Sequence, residues 1–377
     1  MTGLLVHEWI ENHGGAEKVL DEMAATFPAA SIYCLWDDSK QRYESGRVVE
    51  SWLAKTPLRR HKALALPLMS PTWRSYWKEN GRPEWVLLSS HLFAHHFGSQ
   101  RRLKDVPKLA YVYTPARYLW APESDPRGAS VGVRLVAPYF RRLDRRRAQQ
   151  LDEIAAISHF ISERISRSWG RESTVIYPPV SVNKIQAVAD WRIKLSDEER
   201  RVVDALPAEF VFGASRMVPY KRLDVVIDAG SAAGIPVVLA GDGPEASALK
   251  VKAQDADVPV LFLGRVSDAL MRVLYQLATV YVFAPVEDFG IMPIEAMALG
   301  TPVVVNSVGG ARETVDILRG GSHTEDFSTS GLQLAIDSAR RADMSNAQAV
   351  AEQHFGEARF ITQLEQWVSN AAVSRRG

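Results

Sequence analysis

The chain of 377 residues is long enough for two domains, and its 46% hydrophobic content suffices for full cores. Its 45 basic and 44 acidic residues nearly cancel, which argues against a nucleic-acid-binding protein. The single cysteine, Cys34, excludes an internal disulfide and a cysteine-ligated zinc site. Because no apolar run reaches about 18 residues and the N-terminus lacks the features of a signal peptide, we expect a cytoplasmic protein without a transmembrane helix.

Short apolar runs alternate with helical patterns along the first half. The predicted strands are 4–10, 31–36, 85–90, 108–114, 153–158 and 174–180, with a helix at about 16–25. Strands bridged by helices in this way predict a parallel sheet. Pro178 and Pro179 cannot continue a central strand, so a domain boundary is predicted near residue 180.

The second half repeats the scheme. The predicted strands are 209–215, 236–241, 259–264, 281–285 and 301–306, and the predicted helices are 222–232, 244–255 and 268–277. The predicted fold is α/β, with two doubly wound Rossmann-like domains, 1–180 and 181–357, that face an interdomain cleft. The C-terminal segment 358–377, helical from about 358 to 373, is compatible with packing on either domain, including a return to the first.

Two loops carry groups suited to an anionic ligand. In HGGAEKVL (13–20), Gly14 and Gly15 precede a helix whose N–H groups and dipole favour an anion, although a plain glycine turn explains them as well. In GASRMVPYKR (213–222), Arg216 and Lys221 lie across a turn and can converge on one phosphate. Solvated surface charges are the alternative for this pair.

A third loop offers a different enzyme class. GDGPEA (241–246), beginning at Gly241, fits a dinucleotide fingerprint, and Arg265 is positioned for a 2′-phosphate, so an NADP-dependent oxidoreductase is an alternative. Glu245 at the helix start would repel a pyrophosphate, however. No metal site is predicted, because the DAD sequence at 255–257 precedes a strand and the adjacent His95 and His96 should diverge on a regular element.

The fourth loop belongs to EDFGIMPIEAMALGTPVVV (287–305), which predicts a loop, a helix and a strand. Glu287 follows a strand and can accept hydrogen bonds from sugar hydroxyls. Gly290 lets the backbone come close, so that N–H groups there and at Ile291 are available to a ligand. Glu295, predicted in the first helical turn, suits a ribose diol, and a complement to the helix dipole is its alternative role.

Taken together, these loops resemble those of the retaining glycosyltransferases of family GT4, which have the GT-B fold. The resemblance covers nearly the whole chain and is carried by GGAE (14–17), AISHFISERISRSWGRESTVIYPPV (156–180), SRMVPYKRLD (215–224) and the E-x7-E spacing in 287–295. It implies transfer of a hexose from a nucleotide-diphosphate sugar with retention of anomeric configuration, with GGAE as the donor-phosphate loop.

The resemblance also implies roles for individual residues. The first glutamate of E-x7-E, Glu287 here, contacts the donor sugar, and the second, Glu295, contacts the ribose. The basic pair, Arg216 and Lys221, stabilises the departing diphosphate, which preorganised cations can do without a metal cofactor. The base is expected on backbone groups near a strand end, around Val266.

One segment departs from the family pattern. TPARYLW (114–120) resembles the H-T-P-x-R-Y-x-W segment of the mannosyltransferase branch, but Tyr113 occupies the position of the histidine that approaches the reacting sugar. A phenol donates a hydrogen bond but is not a cation near neutral pH, so a non-catalytic sugar-nucleotide binder is a further alternative. GDP-mannose is the donor expected first, ahead of UDP-glucose, GDP-fucose and dTDP-rhamnose.

Local charge suggests where the acceptor comes from. Residues 51–78 contain six Lys or Arg and no acid, interleaved with aromatic residues that include Trp73 and Trp77, and residues 139–147 add five Arg to one Asp. A basic and aromatic surface favours an anionic membrane and a lipid-linked acceptor such as a polyprenyl-diphosphate glycan. The alternative is a solvated basic surface, with Trp73 and Trp77 in the core.

Overall fold

The computed structural model describes residues 2–12, 14–74, 82–122 and 131–374. The chain divides into two compact units, unit 1 with residues 1–179 and 360–377, and unit 2 with residues 180–359. Among the described residues, none of the helices has both the length and the hydropathy of a membrane-spanning segment. The α-helices, in chain order, are α1 (Gly15–Thr26), α2 (Lys62–Arg74), α3 (Arg117–Trp120), α4 (Val131–Ala148), α5 (His159–Trp169), α6 (Val182–Gln186), α7 (Asp197–Asp204), α8 (Leu223–Ala233), α9 (Ala246–Gln254), α10 (Asp268–Leu277), α11 (Ile291–Ala298), α12 (Gly310–Leu318), α13 (Thr329–Ala339), α14 (Met344–Phe355) and α15 (Glu357–Ser374).

Unit 1 is built on a seven-stranded parallel sheet with the strand order β3-β2-β1-β4-β5-β6-β7. The strands are β1 (Gly3–His7), β2 (Ser31–Cys34), β3 (Val48–Glu50), β4 (Trp85–Ser90), β5 (Lys108–Val112), β6 (Glu153–Ala156) and β7 (Thr174–Val175). Every residue of the central strands β1, β4 and β5 is buried, which explains their nearly continuous apolar sequences. The edge strand β3 is not among the predicted strands, because its three residues are only half-buried and give no clear pattern.

Unit 2 is built on a six-stranded parallel sheet with the order β10-β9-β8-β11-β12-β13. The strands are β8 (Val211–Ala214), β9 (Val237–Ala240), β10 (Val260–Gly264), β11 (Val280–Phe283), β12 (Val303–Asn306) and β13 (Gly321–Thr324). All but β13 overlap predicted strands; the sequence of β13, GSHT, contains no large apolar residue. The two sheets confirm the predicted α/β class with two Rossmann-like domains.

The strand order reverses direction at one point in each sheet. In unit 1 the chain moves from β1 to β2 and β3, and then returns to β4 on the other side of β1. In unit 2 the same reversal separates β8 from β11. The loops that leave the two flanking strands diverge there and form a crevice, which is where open parallel sheets bind ligands. These crevices therefore lie after His7 and Ser90 in unit 1, and after Ala214 and Phe283 in unit 2.

Serine and glycine residues define the ends of two helices that follow strands of the sheets. Ser267 caps α10 by accepting the N–H of Leu270, and this helix has the predicted bounds, 268–277. Ser158 caps α5 through the N–H of Ile161, and Gly170, at φ 64°, ends that helix in the left-handed conformation that glycine favours. The loops between sheet and helix are consequently short.

A buried carboxylate links several elements of unit 1. Asp144, on α4, is fully buried, and its Oδ2 accepts the indole N–H groups of Trp120 and Trp169, both at 2.7 Å. Its Oδ1 lies 3.0 Å from Nε2 of His95 and 3.0 Å from Nε2 of His96. Burial favours the neutral acid, but the two histidines outweigh burial and lower the pKa of Asp144. The charged carboxylate thus connects α3, α4, α5 and the 3-10 helix that carries the histidines.

The basic segments of unit 1 sort into buried and exposed residues. Asp144, the only acid in 139–147, points into the core and leaves arginines on the exposed side of α4. Trp52 is 49% exposed, whereas Trp73 is fully buried, as expected for a core residue. Tyr76 and Trp77 lie outside the described residues.

The C-terminal helix α15 belongs to unit 1 from Phe360 onward. The Phe360 ring contacts Tyr111 edge-on with centroids 5.8 Å apart, and the Trp367 indole N–H donates to Glu153 Oε2 at 2.6 Å. The chain therefore returns from unit 2 and packs against β5 and β6.

The buried histidines predict that unit 1 loses stability as pH falls. Burial and the nearby His95 lower the pKa of His96 to about 4, whereas the pKa in the unfolded chain is about 6.5. Between these values the unfolded state binds more protons, so the free energy of unfolding falls by up to about 1.4 kcal/mol per pH unit on acidification.

Urea unfolding followed by tryptophan fluorescence measures this slope in unit 1, because every tryptophan except Trp191 lies there. The variant His96→Gln should show a shallower slope between pH 6.5 and pH 4.5 than the control His354→Gln, which alters an exposed residue of unit 2. Equal slopes would show that His96 does not stay neutral in the folded state.

Candidate active site

An ion pair between two predicted site residues lies in the crevice of unit 2. Lys221 Nζ lies 2.5 Å from Glu287 Oε1, and the two side chains are only 17% and 16% exposed. Lys221 ends the 3-10 helix Pro219–Lys221 in the loop after β8, whereas Glu287 lies in the loop after β11. Because β8 and β11 flank the reversal of strand order, the pair spans the crevice.

A tyrosine connects the two predicted phosphate-binding cations. Arg216 is exposed and donates a hydrogen bond from Nη2 to the Tyr220 hydroxyl at 2.9 Å. The Lys221 ammonium lies 5.4 Å from the centre of the same ring. Two cations held on one short loop create a local positive potential that suits an anionic group such as a phosphate.

The second glutamate of the pair lies further along its helix than predicted. Helix α11 begins at Ile291, so Glu295 lies in its second turn and not in the predicted first turn. Pro293 marks the first turn of a helix, but it occupies the third position of α11, so the helix begins earlier than a proline at its first position would indicate. Burial raises the pKa of Tyr281 on β11, and the charges of Glu295 and Glu287 add to this effect. Both glutamates are therefore within electrostatic reach of one buried tyrosine whose hydroxyl donates to the backbone at the end of β8.

Gly290 allows another helix to approach the loop of Glu287. A Cβ at Gly290 would lie 2.9 Å from Ala311 Cα and 3.1 Å from Ala311 Cβ, so the missing side chain permits close packing of α12. Ile291, the first residue of α11, is half-buried. Packing against α12 therefore accounts for the glycine at 290.

The crevice of unit 2 contains a glycine pair, Gly309 and Gly310, that was not predicted from the sequence. The Gly310 N–H donates to the Glu287 carbonyl at 2.7 Å, and a Cβ at Gly309, where φ is 116°, would lie 2.7 Å from that oxygen. The pair thus holds the main chain of Glu287 in place. Its sequence signal is a strand, two glycines and a helix, the same pattern that singled out Gly14 and Gly15.

The glycines of GDGPEA serve the packing of the cationic loop. Gly241 has φ 126°, and a Cβ there would overlap the Ser215 carbonyl oxygen. A Cβ at Gly243 would likewise overlap the Met217 carbonyl oxygen. Both residues therefore let the loop that carries Arg216 lie directly against the turn after β9.

Arg265 and Glu245, the charged residues of the dinucleotide alternative, do not form an NADP site. Arg265 is 86% exposed and lies 3.9 Å from the carboxylate of Asp242. Glu245 occupies the N-cap position of α9, where its carboxylate disfavours a pyrophosphate.

Val266, near which the base is expected, is half-buried in the loop after β10, at the carboxyl edge of the sheet of unit 2.

In unit 1, the carboxylate of Glu17 lies beside the predicted glycine loop. Gly14 is the N-cap of α1, and a Cβ there would overlap the Glu17 carboxylate, which is buried and accepts the Glu11 N–H at 3.2 Å. At Gly15, apart from its chain neighbours and the backbone of its own helix, no described atom lies within 4 Å of the position of a Cβ. A negative group therefore already lies beside Gly14, and the open space is at Gly15.

Tyr113 connects the end of β5 to this glycine loop. Its hydroxyl donates to the Ala16 carbonyl at 3.3 Å and shares a 3.0 Å hydrogen bond with the Ser89 hydroxyl. Burial raises the pKa of Tyr113 well above its usual range, so the phenol stays neutral.

Two residues at the crevice of unit 1 were not predicted. Glu8 directly follows β1, His91 directly follows β4, and His91 Nδ1 lies 3.3 Å from Glu8 Oε2. Their signal is positional, because an acid and an imidazole each follow an apolar strand at the carboxyl edge.

One group of described residues has the composition of a metal site, namely His95, His96 and Asp144. The prediction that the two histidines diverge is wrong, because they lie on a 3-10 helix and both Nε2 atoms approach Asp144 Oδ1. The contact of His96 Nε2 with Asp144 is a hydrogen bond, His95 Nε2 lies at the same distance without forming one, and His96 Nδ1 lies 2.9 Å from Ser70 Oγ. This geometry fits a hydrogen-bonded cluster in the core.

Two family models match the chain. The model described as Glycosyltransferase Family 4 matches residues 13–184, and the model described as Glycosyl transferases group 1 matches residues 196–350. Between them they contain every predicted site residue. The chain belongs to glycosyltransferase family 4. It is a glycosyltransferase, as the motifs predict, and its two Rossmann-like units are those of the GT-B fold.

Relatives of this family 4 protein include two mannosyltransferases. The GDP-mannose-dependent monoacylated alpha-(1-6)-phosphatidylinositol monomannoside mannosyltransferase of Corynebacterium glutamicum is 26% identical over 296 residues, which are 70% of this chain and 76% of the relative. The GDP-mannose-dependent alpha-(1-6)-phosphatidylinositol monomannoside mannosyltransferase of Mycobacterium tuberculosis is 27% identical over 240 residues, which are 58% of this chain and 62% of the relative.

Solved structures share the fold along the whole chain. HepE of Anabaena, crystallised with UDP, has a TM-score of 0.72 and 20% identity, covering 98% of this chain and 100% of that one. Sucrose-phosphate synthase from Thermosynechococcus elongatus has a TM-score of 0.71 and 17% identity, covering 99% and 100%.

The packing of GDGPEA predicts the effect of substitution in this family 4 protein. Gly241→Ala should lower the free energy of unfolding by about 3 kcal/mol or more, because the new Cβ meets backbone that has to move. Gly264→Ala is the matched control, with φ 67° and open space, and should cost only about 1 kcal/mol. Thermal unfolding compares the two, and equal losses would contradict the close approach at Gly241.

Proposed function

We propose that this protein transfers a mannosyl group from GDP-mannose to a hydroxyl of a lipid or lipid-linked glycan, with retention of anomeric configuration and without a metal ion. The observation that carries the proposal is the Lys221–Glu287 pair in the crevice of unit 2, within a chain of glycosyltransferase family 4. The pair combines a cation for a phosphate with a carboxylate for sugar hydroxyls at one point.

The chemistry of the transfer explains why these groups are needed. As the bond between the sugar and the diphosphate breaks, negative charge develops on the departing phosphate. Lys221 and Arg216 supply positive charge there, and Glu287 accepts hydrogen bonds from the sugar. In this proposal the incoming phosphate takes over Lys221, which releases the Glu287 carboxylate toward the sugar.

The two mannosyltransferase relatives support GDP-mannose as the donor, since both are named as dependent on it. The structures of HepE with UDP and UDP-glucose make the uridine donor the main competitor. The packing of Gly241 and Gly243 against the cationic loop leaves the oxidoreductase alternative without support.

Exposed side chains of unit 1 support an acceptor presented by a membrane. Helices α2 and α4 both pack on the 3-10 helix Ala94–Ser99 through the hydrogen bonds of His96 to Ser70 and Asp144. Anionic lipid would attract their basic residues while the exposed apolar side chains enter the interface. The exposed residues of this α2–α4 surface include Leu64, Leu68, Leu135, Val136, Tyr139, Arg142 and Arg146.

Turnover in EDTA tests the proposed reaction. With GDP-mannose and an octyl α-mannoside acceptor, the wild-type protein should form an α-linked product. Lys221→Ala should lower kcat/KM about 100-fold or more because positive charge at the departing phosphate is lost, and Glu287→Gln should do the same because the charged acceptor for the sugar hydroxyls is lost. Lys252→Ala removes a comparable lysine, paired with Asp228 at 2.7 Å, and should leave turnover unchanged. Losses of less than about threefold at Lys221 and Glu287 would refute their roles.

Co-sedimentation with lipid vesicles tests the α2–α4 surface. The wild-type protein should prefer vesicles containing phosphatidylglycerol over pure phosphatidylcholine, and Arg142→Glu with Arg146→Glu should weaken binding by about 1 kcal/mol per residue. The control Arg167→Glu changes an exposed arginine on α5 and should have a smaller effect. No preference for anionic vesicles would remove the membrane from the proposal.

A further inference from the structure

The crevice of unit 1 contains an imidazole that the proposed reaction leaves without a task. His91 follows β4 and Glu8 follows β1, on the two strands between which the strand order reverses. The His91 side chain is 25% exposed, whereas Glu8 is fully buried. A buried carboxylate behind a partly exposed imidazole, at the ligand-binding edge of a parallel sheet, is the arrangement of a functional pair.

Glu8 is held in a fixed position. Its Oε1 accepts the N–H groups of Leu92 and Ala94, both at 2.8 Å, and the N–H of His91 at 3.2 Å. Burial favours the neutral acid, but His91, His7 and these N–H groups outweigh burial and lower the pKa of Glu8. The carboxylate is therefore an immobile, ionised acceptor.

The Glu8 carboxylate lies beside the His91 ring. His91 Nδ1 is buried, makes no hydrogen bond with the described residues and lies 3.3 Å from Glu8 Oε2, so the negative charge of the carboxylate favours a proton on Nδ1. Trp9 contacts the ring edge-on with centroids 4.9 Å apart, and Tyr113 contacts it at 6.3 Å. With the proton on Nδ1, the Nε2 atom on the opposite side of the ring carries a lone pair that can accept a hydrogen bond.

The neighbouring groups are less suited to a polar ligand. The Tyr113 hydroxyl is engaged with the Ala16 carbonyl and the Ser89 hydroxyl. His7 is fully buried, and its Nδ1 lies 2.9 Å from Ser89 Oγ. Among the described side chains that meet at this point, His91 combines a fixed orientation with exposure.

We propose that His91 binds the acceptor, its Nε2 accepting a hydrogen bond from an acceptor hydroxyl, and that Glu8 is a positioning residue acting through His91. This inference rests on the proposed glycosyl transfer and deepens it, because it assigns the acceptor to the unit 1 crevice. It also places an imidazole beside the acceptor, although Tyr113 occupies the position of the histidine in the family segment.

The test separates acceptor steps from donor steps. Transfer from GDP-mannose is measured with octyl α-mannoside, octyl β-glucoside and a polyprenyl-diphosphate N-acetylglucosamine as acceptor probes, and donor hydrolysis is measured with water alone. His91→Phe retains a ring against Trp9 but removes the hydrogen-bond acceptor. It should lower kcat/KM for the acceptor about 30-fold, with a raised acceptor KM, while the donor KM and donor hydrolysis change less than about threefold.

Two further variants distinguish binding from packing. The amide oxygen of His91→Gln can take the place of Nε2, so this variant should recover at least about fivefold over His91→Phe. Glu8→Gln should lower the acceptor kcat/KM about tenfold without changing the donor KM, because the ring loses its charged partner. His354→Phe, an exposed histidine of unit 2, is the matched control and should behave as wild type.

The outcomes are distinct. Acceptor kcat/KM for His91→Phe within about threefold of wild type, or an equal loss in donor hydrolysis, would overturn the role of His91 while the proposed transferase stands. No transfer by the wild-type protein to any probe would overturn the proposed reaction and this inference with it. An equal activity of the Phe and Gln variants, both low, would show that His91 serves packing only.

Discussion

The parallel alignment of the strands is the constraint on which the rest of the structure depends. It brings every strand's carboxyl end to one edge of each sheet, and a reversal of strand order opens that edge between β1 and β4 in unit 1 and between β8 and β11 in unit 2. A carboxylate lies beside a nitrogen base at each opening, Glu8 beside His91 and Glu287 beside Lys221. The same topology thus supplies two polar crevices whose chemistry differs: one is built on an imidazole and the other on an ammonium group.

Close backbone approach keeps the crevice of unit 2 in shape. Gly241 lies against Ser215, and Gly309 lies against Glu287, at distances that leave no room for a side chain. The loops that carry the cations and the carboxylate are therefore positioned by main-chain packing. Preorganised charge of this kind stabilises a departing phosphate more effectively than mobile charge.

The sequence predicted the buried parts of the fold well, because apolar strands such as β4 and β12 and capped helices such as α10 carry strong local signals. It missed β13, whose residues are polar or glycine. It placed Glu295 one turn too early, because a proline such as Pro293 is tolerated at several positions of a first helical turn and does not fix the residue at which the helix begins. The convergence of His95 and His96 on Asp144, 48 residues after His96, depends on tertiary packing that no local pattern encodes. Glu8 and His91 lie 83 residues apart, and their shared signal, a polar residue directly after an apolar strand, does not by itself show that they pair.

Titration calorimetry of GDP, UDP and NADP with the wild-type protein and with Lys221→Met, each in EDTA and in magnesium, would show whether the crevice of unit 2 binds the donor. If the crevice of unit 2 binds a nucleoside diphosphate through Lys221, GDP should bind equally well with and without metal, and Lys221→Met should weaken it about tenfold or more. Binding of NADP in preference to GDP, or GDP binding that Lys221→Met leaves unchanged, would contradict the assignment of this crevice to the donor.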